Sequence, residues 1–290
     1  KFLYDAHEIG FYSLRDNLEL VPFPWGYAGW IWNLMNTWIV KHKVDAVVTV
    51  NDFLADLQAK HYGIPRPGIV MNCPADPPKH MTNSHEPSLV DRIGVPPRTP
   101  IVICQGMFWL RRGDGPGLES LIRSSRLLHQ GVVVLVGNIA TAPEFAGLRK
   151  LADEPRYRGL VFLIPPILQH QMLRYTAEAT IGIIPLLLSG TLRYALPNKF
   201  STYLAAGLPV ITSDIPPVRE ICETYECGLV VDPTSPTSIA DAINLVIDNR
   251  ELYSAMKNGA LQAAEVYNWT TQEKNLLATY DSLLSTTGIL

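Results

Sequence analysis

Short runs of consecutive apolar residues recur along this chain, and between them apolar positions return every three or four residues. The runs at 101–104, 132–136, 160–163, 181–184, 210–212 and 229–231 are rich in Val, Ile and Leu. They read as strands covered by helices on both sheet faces, where no polar alternation is required. The intervening segments at 118–128, 144–152, 169–176, 198–206 and 218–223 carry the helical period. Repetition of this strand–helix unit predicts a complete doubly wound parallel sheet. Ligands of such sheets bind at the carboxyl ends of the strands, near the point where strand order reverses.

The same alternation begins earlier but is shorter. Strands are predicted at 2–6, 46–50 and 68–71, and helices at 27–41 and 52–61. Residues 74–99 are rich in Pro, Asn, Ser and His, and read as a linker with one short helical turn. Helical patterning returns at 238–247, 251–267 and 270–284. The predicted class is therefore α/β, with two Rossmann-like doubly wound domains, the first incomplete. The expected boundaries are 1–96 for a partial first domain with its linker, 97–268 for the second domain, and 269–290 for a C-terminal helix. Lys1 leads straight into a strand with no preceding turn. An unpaired edge there is unfavourable, so further residues are expected upstream.

One apolar stretch resists this scheme. Residues 21–40 hold Trp25, Trp30, Trp32 and Trp38, but Pro22, Pro24, Asn33, Asn36 and Thr37 interrupt them. The polar residues share one helical face, so the segment reads as an amphipathic helix and not a membrane span. Its aromatic stripe fits a core; it also fits a membrane surface or a pocket for a greasy acceptor. Apolar residues make up 47% of the 290, enough for substantial cores, and the net charge of −3 gives no whole-chain reason to expect nucleic acid. Cys73, Cys104, Cys222 and Cys227 have no metal-ligand spacing. Cys73 and Cys104 lie in apolar, strand-like contexts that suit buried thiols, and a reducing, cytoplasmic setting is expected.

Residues 195–211 carry the most chemistry. They read as a helix opening on Pro197, stopped by Gly207 and followed by a buried strand. The exposed amides of such an opening, near Pro197 and Asn198, form an anion site with Lys199 beside them. Gly106 and Gly137 each end an apolar strand, where the lack of a side chain permits close approach. The loop after Gly106 is glycine-rich and holds Arg111 and Arg112, whose planar forks suit phosphate oxygens. It has neither Walker nor dinucleotide spacing. Ile164 precedes Pro165 and Pro166 at another strand end, a stiff backbone edge that suits a flat base. In the first half, Tyr4, Asp5, His7 and Glu8 end a strand, where His7 reads either as catalytic or as a satisfied core histidine. Asn51 reads as a helix cap without chemistry. No Asp-x-Asp and no clustered metal donors occur, so a metal-free mechanism is expected, with cations and helix dipoles offsetting leaving-group charge.

Together these pieces resemble the family-four retaining glycosyltransferases of the GT-B fold. The motifs that carry the resemblance are Tyr4–Glu8, Met71-Asn-Cys-Pro74, the Gln105-Gly106…Arg112-Gly113 loop, Val134–Gly137, Pro197-Asn-Lys199, Ala205–Val210, Gly228–Pro233 and Tyr267-Asn-Trp269. The resemblance implies two Rossmann-like domains, with a nucleotide-diphosphate sugar held mainly by the second. It implies Arg112 and Lys199 on the diphosphate, the Ile164 loop on the base, and His7 toward the donor sugar. It also implies that the last helix braces the first domain. The implied acceptor is a saccharide or lipid-linked hydroxyl, as in making a cell-envelope polysaccharide. No cofactor is implied beyond the sugar nucleotide as co-substrate. The implied place is the cytoplasm, or the inner face of the membrane by peripheral contact.

Two departures stand out. The family glutamate five residues before Gly207, which grips the donor ribose, is Thr202 here. A second glutamate, eight residues earlier, would fall at Tyr194, but relatives with Pro-Asn-Lys often lack it. The family's first strand and glycine-rich acceptor loop have no counterpart. A non-catalytic module that binds donor or a partner is therefore an alternative. An epimerase would need more carboxylates than Glu8, and an NAD oxidoreductase would need a Gly-x-Gly-x-x-Gly after a strand.

Overall fold

A computed structural model describes residues 1–6, 25–74, 87–110, 114–188 and 193–285. The chain forms two compact units. The first combines Lys1–Ala75, Ser189–Leu196 and Tyr267–Leu290; the second combines Asp76–Leu188 and Pro197–Val266. The described part of the Pro-rich linker, 87–99, thus groups with the second unit.

The second unit is built on a six-stranded parallel sheet. Its strands are β4 (Ile101–Gly106), β5 (Val132–Gly137), β6 (Val161–Ile164), β7 (Ile181–Ile184), β8 (Val210–Thr212) and β9 (Gly228–Val230), in the order β6-β5-β4-β7-β8-β9. Each predicted apolar run is thus a strand. The central ones are buried along almost their whole length, because helices cover both faces. Those helices include α4 (Asp114–Ser124), α5 (Ala146–Ala152), α6 (Gln169–Ala177), α7 (Asn198–Ala205), α8 (Pro216–Thr224), α9 (Pro236–Asp248) and α10 (Arg250–Val266). A continuous core of Val, Ile, Leu and Phe side chains runs from Val102 to Met256. Strand order reverses between β4 and β7, which pair through only Val102–Ile181 and Ile103–Gly182. Beyond that short pairing the two strands part, and the crevice of a doubly wound sheet opens at their carboxyl ends. The one helical turn predicted within the linker is α3 (Leu89–Ile93), closed by a capping box between Ser88 and Asp91.

The first unit holds a three-stranded parallel sheet, β1 (Leu3–Asp5), β2 (Ala46–Thr49) and β3 (Gly68–Ile69). Its helices are α1 (Trp25–Lys43), α2 (Asp52–Tyr62) and α11 (Trp269–Ser285). Asn51 caps α2 by accepting from the Leu54 amide at 2.9 Å, the purely structural role its position suggested. Helix α11 lies on β3, where the Gln272 side chain accepts from the Met71 amide at 2.9 Å. The strand predicted at 68–71 is cut to two residues because Met71 bonds to that side chain and not to a neighbouring strand.

Helix α1 overturns the core reading for Trp32 and Trp38, while the side chains of Trp25 and Trp30 lie outside the described ones. Asn33 and Val40 face inward and are buried, and Asn36 reaches the Tyr62 hydroxyl at 3.5 Å. Ile31, Trp32, Leu34, Met35, Trp38 and Ile39 are exposed instead. The helix is amphipathic as predicted, but its polar stripe is the one that meets the protein.

All four cysteines are free; Cys104, Cys222 and Cys227 are buried. Cys73 departs from expectation, lying after β3 and half-buried.

Candidate functional site

The carboxyl ends of β4, β5 and β6 lie side by side. Gly106 and Gly137 are direct partners across the β4–β5 ladder, and Ile164 follows beside Val136 on β6. Both glycines hold positive φ, +142° and +148°. Gly137 has no alternative, since a Cβ there would lie 1.9 Å from the Gly106 carbonyl oxygen. At Gly106 the space is taken by Lys199, whose Cε and Nζ would lie 3.3 and 3.5 Å from an added Cβ. Three of the residues singled out in the sequence, Gly106, Gly137 and Lys199, are thereby brought to one place.

Lys199 is the second residue of α7. Pro197 is not the first helical residue, as expected, but the N-cap, with extended backbone (φ −63°, ψ 134°), and helical geometry begins at Asn198. No side chain caps this N-terminus. Its opening amides point along the axis, adding the positive end of the helix dipole to the Lys199 ammonium. Gly207, at φ +65°, stops the helix as predicted. The ammonium stands 4.7 Å from the centre of the Phe108 ring, a cation–π contact that fixes the otherwise flexible side chain. Phe108 is itself pinned. The Asn138 side chain accepts from the Phe108 amide at 2.8 Å and donates to the Phe108 carbonyl at 3.0 Å. One residue on, the Trp109 amide donates to the buried Asp114 carboxylate at 2.5 Å. The β4–α4 loop is thus tied down on both sides before it reaches 111–113.

Below the site, Tyr203 closes the gap between the parting strands. Its hydroxyl accepts from the Gln105 amide at 3.2 Å and lies 3.1 Å from the Ile103 carbonyl and 3.3 Å from that of Ile183. Burial pushes its pKa well up, so it stays a neutral donor. Gln105 is buried, and its side-chain oxygen accepts from the Thr176 hydroxyl at 2.7 Å. Burial likewise pushes the Cys104 thiol up to about 11, against the pull of the nearby Lys199 ammonium.

The remaining expected residues fall as follows. Ile164 is buried at the end of β6, with the exposed Pro165 and Pro166 following it. Asn198 is exposed. Thr202 is buried, and its hydroxyl donates back to the Asn198 carbonyl at 3.2 Å. His7 and Arg112, like Glu8 and Arg111, lie outside the described residues. Sequence reading missed Phe108, Asn138 and Tyr203. Only Asn138 left a trace, as a polar residue directly after the strand-ending Gly137.

The family description "Glycosyl transferases group 1" matches residues 116–263, which include this strand-end site's helix α7 and most of the second unit. The chain belongs to the group 1 glycosyl transferases. Among curated relatives of this glycosyl transferase, D-inositol 3-phosphate glycosyltransferase of Nocardioides sp. is 26% identical over 172 residues, 56% of this chain and 36% of that protein. The chain thus spans well under half the length of that relative. Among solved structures, sucrose-phosphate synthase from Thermosynechococcus elongatus superposes with a TM-score of 0.72 at 18% identity, covering 98% of this chain and 68% of that one. Anabaena Alr3699/HepE in complex with UDP-glucose gives 0.71 at 13% identity, covering 97% and 72%. The glycosyl transferase has the α/β, GT-B type of fold.

Proposed function

We propose that this chain carries the donor site of an enzyme that moves a sugar from a nucleoside-diphosphate sugar to an acceptor hydroxyl. The observation that carries the reading is Lys199. It stands at an uncapped helix N-terminus, over the backbone of Gly106, at the strand ends where the sheet order reverses. A diphosphate there meets one full positive charge and the opening amides of Asn198 and Lys199, ahead of the Phe200 amide, which is bonded to the Pro197 carbonyl. Both strengthen as the sugar–oxygen bond breaks and charge collects on the leaving group. Arg112, on the neighbouring loop, is proposed to share the diphosphate. The backbone around Ile164 and Pro165 is proposed to meet the base. Family membership and the UDP-glucose complex of HepE support a nucleotide sugar as donor.

Finer parts of the proposal rest on the family resemblance as well as on this charge arrangement. The cations offset the leaving group, so transfer is expected to run without a metal ion and without a further cofactor. Departure of the diphosphate on one face, with the acceptor entering on that face, gives retention. His7 is proposed as the catalytic side chain beside the sugar, and a saccharide or lipid-linked hydroxyl as acceptor. Thr202 is the weak point: a buried hydroxyl already donating within its own helix offers the ribose only its lone pairs. This favours, as a second reading, a module that binds donor without turnover.

Calorimetric titration with UDP- and GDP-sugars tests the core of the proposal. One of them is expected to bind, and Lys199→Ala to weaken it about tenfold or more, as for loss of a charge-assisted contact. Absence of binding by every sugar nucleotide, or unchanged affinity in Lys199→Ala, would refute it. Binding without transfer would select the second reading.

A further inference from the structure

Helix α1 exposes a continuous apolar face that nothing described in the chain covers. Ile31, Trp32, Leu34, Met35, Trp38 and Ile39 are each between 41% and 64% exposed, within nine consecutive positions. At 100° per residue they share an arc of about 160°. Asn33, Asn36 and Val40 occupy the opposite arc and face the protein. Soluble surfaces rarely gather so many large apolar groups on one face, and such a face marks an interaction site.

The charges on the same helix say what kind of surface it meets. The last turn carries Lys41, His42 and Lys43, and the helix contains no Asp or Glu. On the helical wheel Lys41 and Lys43 fall on the two borders of the apolar arc, one on each side. Lys43 reaches back along it, its Nζ 5.4 Å from the centre of the Trp38 ring, and the His42 ring lies 5.6 Å from the same ring. Long cationic side chains flanking a stripe that holds indoles match the boundary between hydrocarbon and headgroups. There the stripe enters the acyl layer, the indoles sit at the interface, and the lysines snorkel to anionic headgroups. A second copy of this helix would bring the same cations and no anion. An anionic lipid surface supplies both the apolar phase and the counter-charge.

We infer that α1 lies in the plane of an anionic lipid surface, docking the first unit on it by its Ile31–Trp38 face. No helix among the described residues, α1 included, is long and apolar enough to cross a membrane, so α1 would lie on the surface and not span it. The inference is independent of the donor reading, since Lys199 and its neighbours belong to the other unit.

Co-sedimentation of the full chain with vesicles tests it. Binding is expected to phosphatidylglycerol-containing vesicles and to be about tenfold or more weaker to phosphatidylcholine alone. The double variant Trp32→Ser, Trp38→Ser is expected to abolish sedimentation while leaving the melting temperature unchanged, because both side chains are exposed. Lys41→Glu with Lys43→Glu is expected to reduce binding to the anionic vesicles to the level seen with neutral ones. The tryptophan emission lost in the double variant is expected to shift to the blue, in the wild-type chain, only when vesicles are added. Failure to sediment with anionic vesicles would overturn the inference. So would indoles already shielded from acrylamide without lipid, a sharp fall in stability in the double variant, or a dimer in sedimentation velocity that the double variant dissociates.

Discussion

Single residues decide whether the strand ends form a site at all. Gly137 is the clearest case, because its missing Cβ is the only reason β5 can lie against the Gly106 carbonyl. Gly137→Ala combines a clash with a backbone angle that side chains avoid. It is expected to cost about 3 kcal/mol or more, read as a fall in the urea midpoint. His61 gives the first unit a pH dependence. Burial holds its imidazole below its ordinary range, so the unfolded chain takes up the proton first as pH falls. Stability contributed by neutral His61 is complete above the unfolded value and is lost as pH drops through the lower folded one. The urea midpoint is expected to fall as pH drops below the ordinary imidazole value of about 6.5, and His61→Gln to flatten that slope. Lys199 and both glycines were legible at this scale because helix starts and strand ends leave local marks. Phe108 and Tyr203 were not, because an apolar residue in a loop or helix carries no sign of what it will touch.

At the scale of elements, the sheet of the second unit could be read almost run by run, since a strand buried on both faces must be apolar throughout. The contact between α7 and the sheet could not. It depends on the Tyr203 hydroxyl reaching into the gap where β4 and β7 part. Tyr203→Phe leaves the buried Gln105 amide without that acceptor. A loss of about 1–3 kcal/mol is expected in denaturant unfolding, together with weaker sugar-nucleotide binding as α7 loosens. Helix α1 teaches the opposite lesson. Periodicity correctly grouped its residues by face, but it cannot say which face the rest of the protein takes. Asn33 and Val40 are buried on the inward face and Asn36 reaches the Tyr62 hydroxyl there, so the helix is turned over.

At the scale of the molecule, the return of the last helix to the first domain was implied by the family resemblance and not by any local pattern. The first unit is assembled from three separate stretches, and its β3 is covered by α11 from the far end of the chain. Composition and periodicity are local and carry no trace of such a return. On a ribosome, where chains emerge and fold from the N-terminus, β1 to β3 are made before the second unit yet are completed only after it. They must wait, with Met71 unsatisfied, until the whole of the other unit has been synthesised and Gln272 finally arrives.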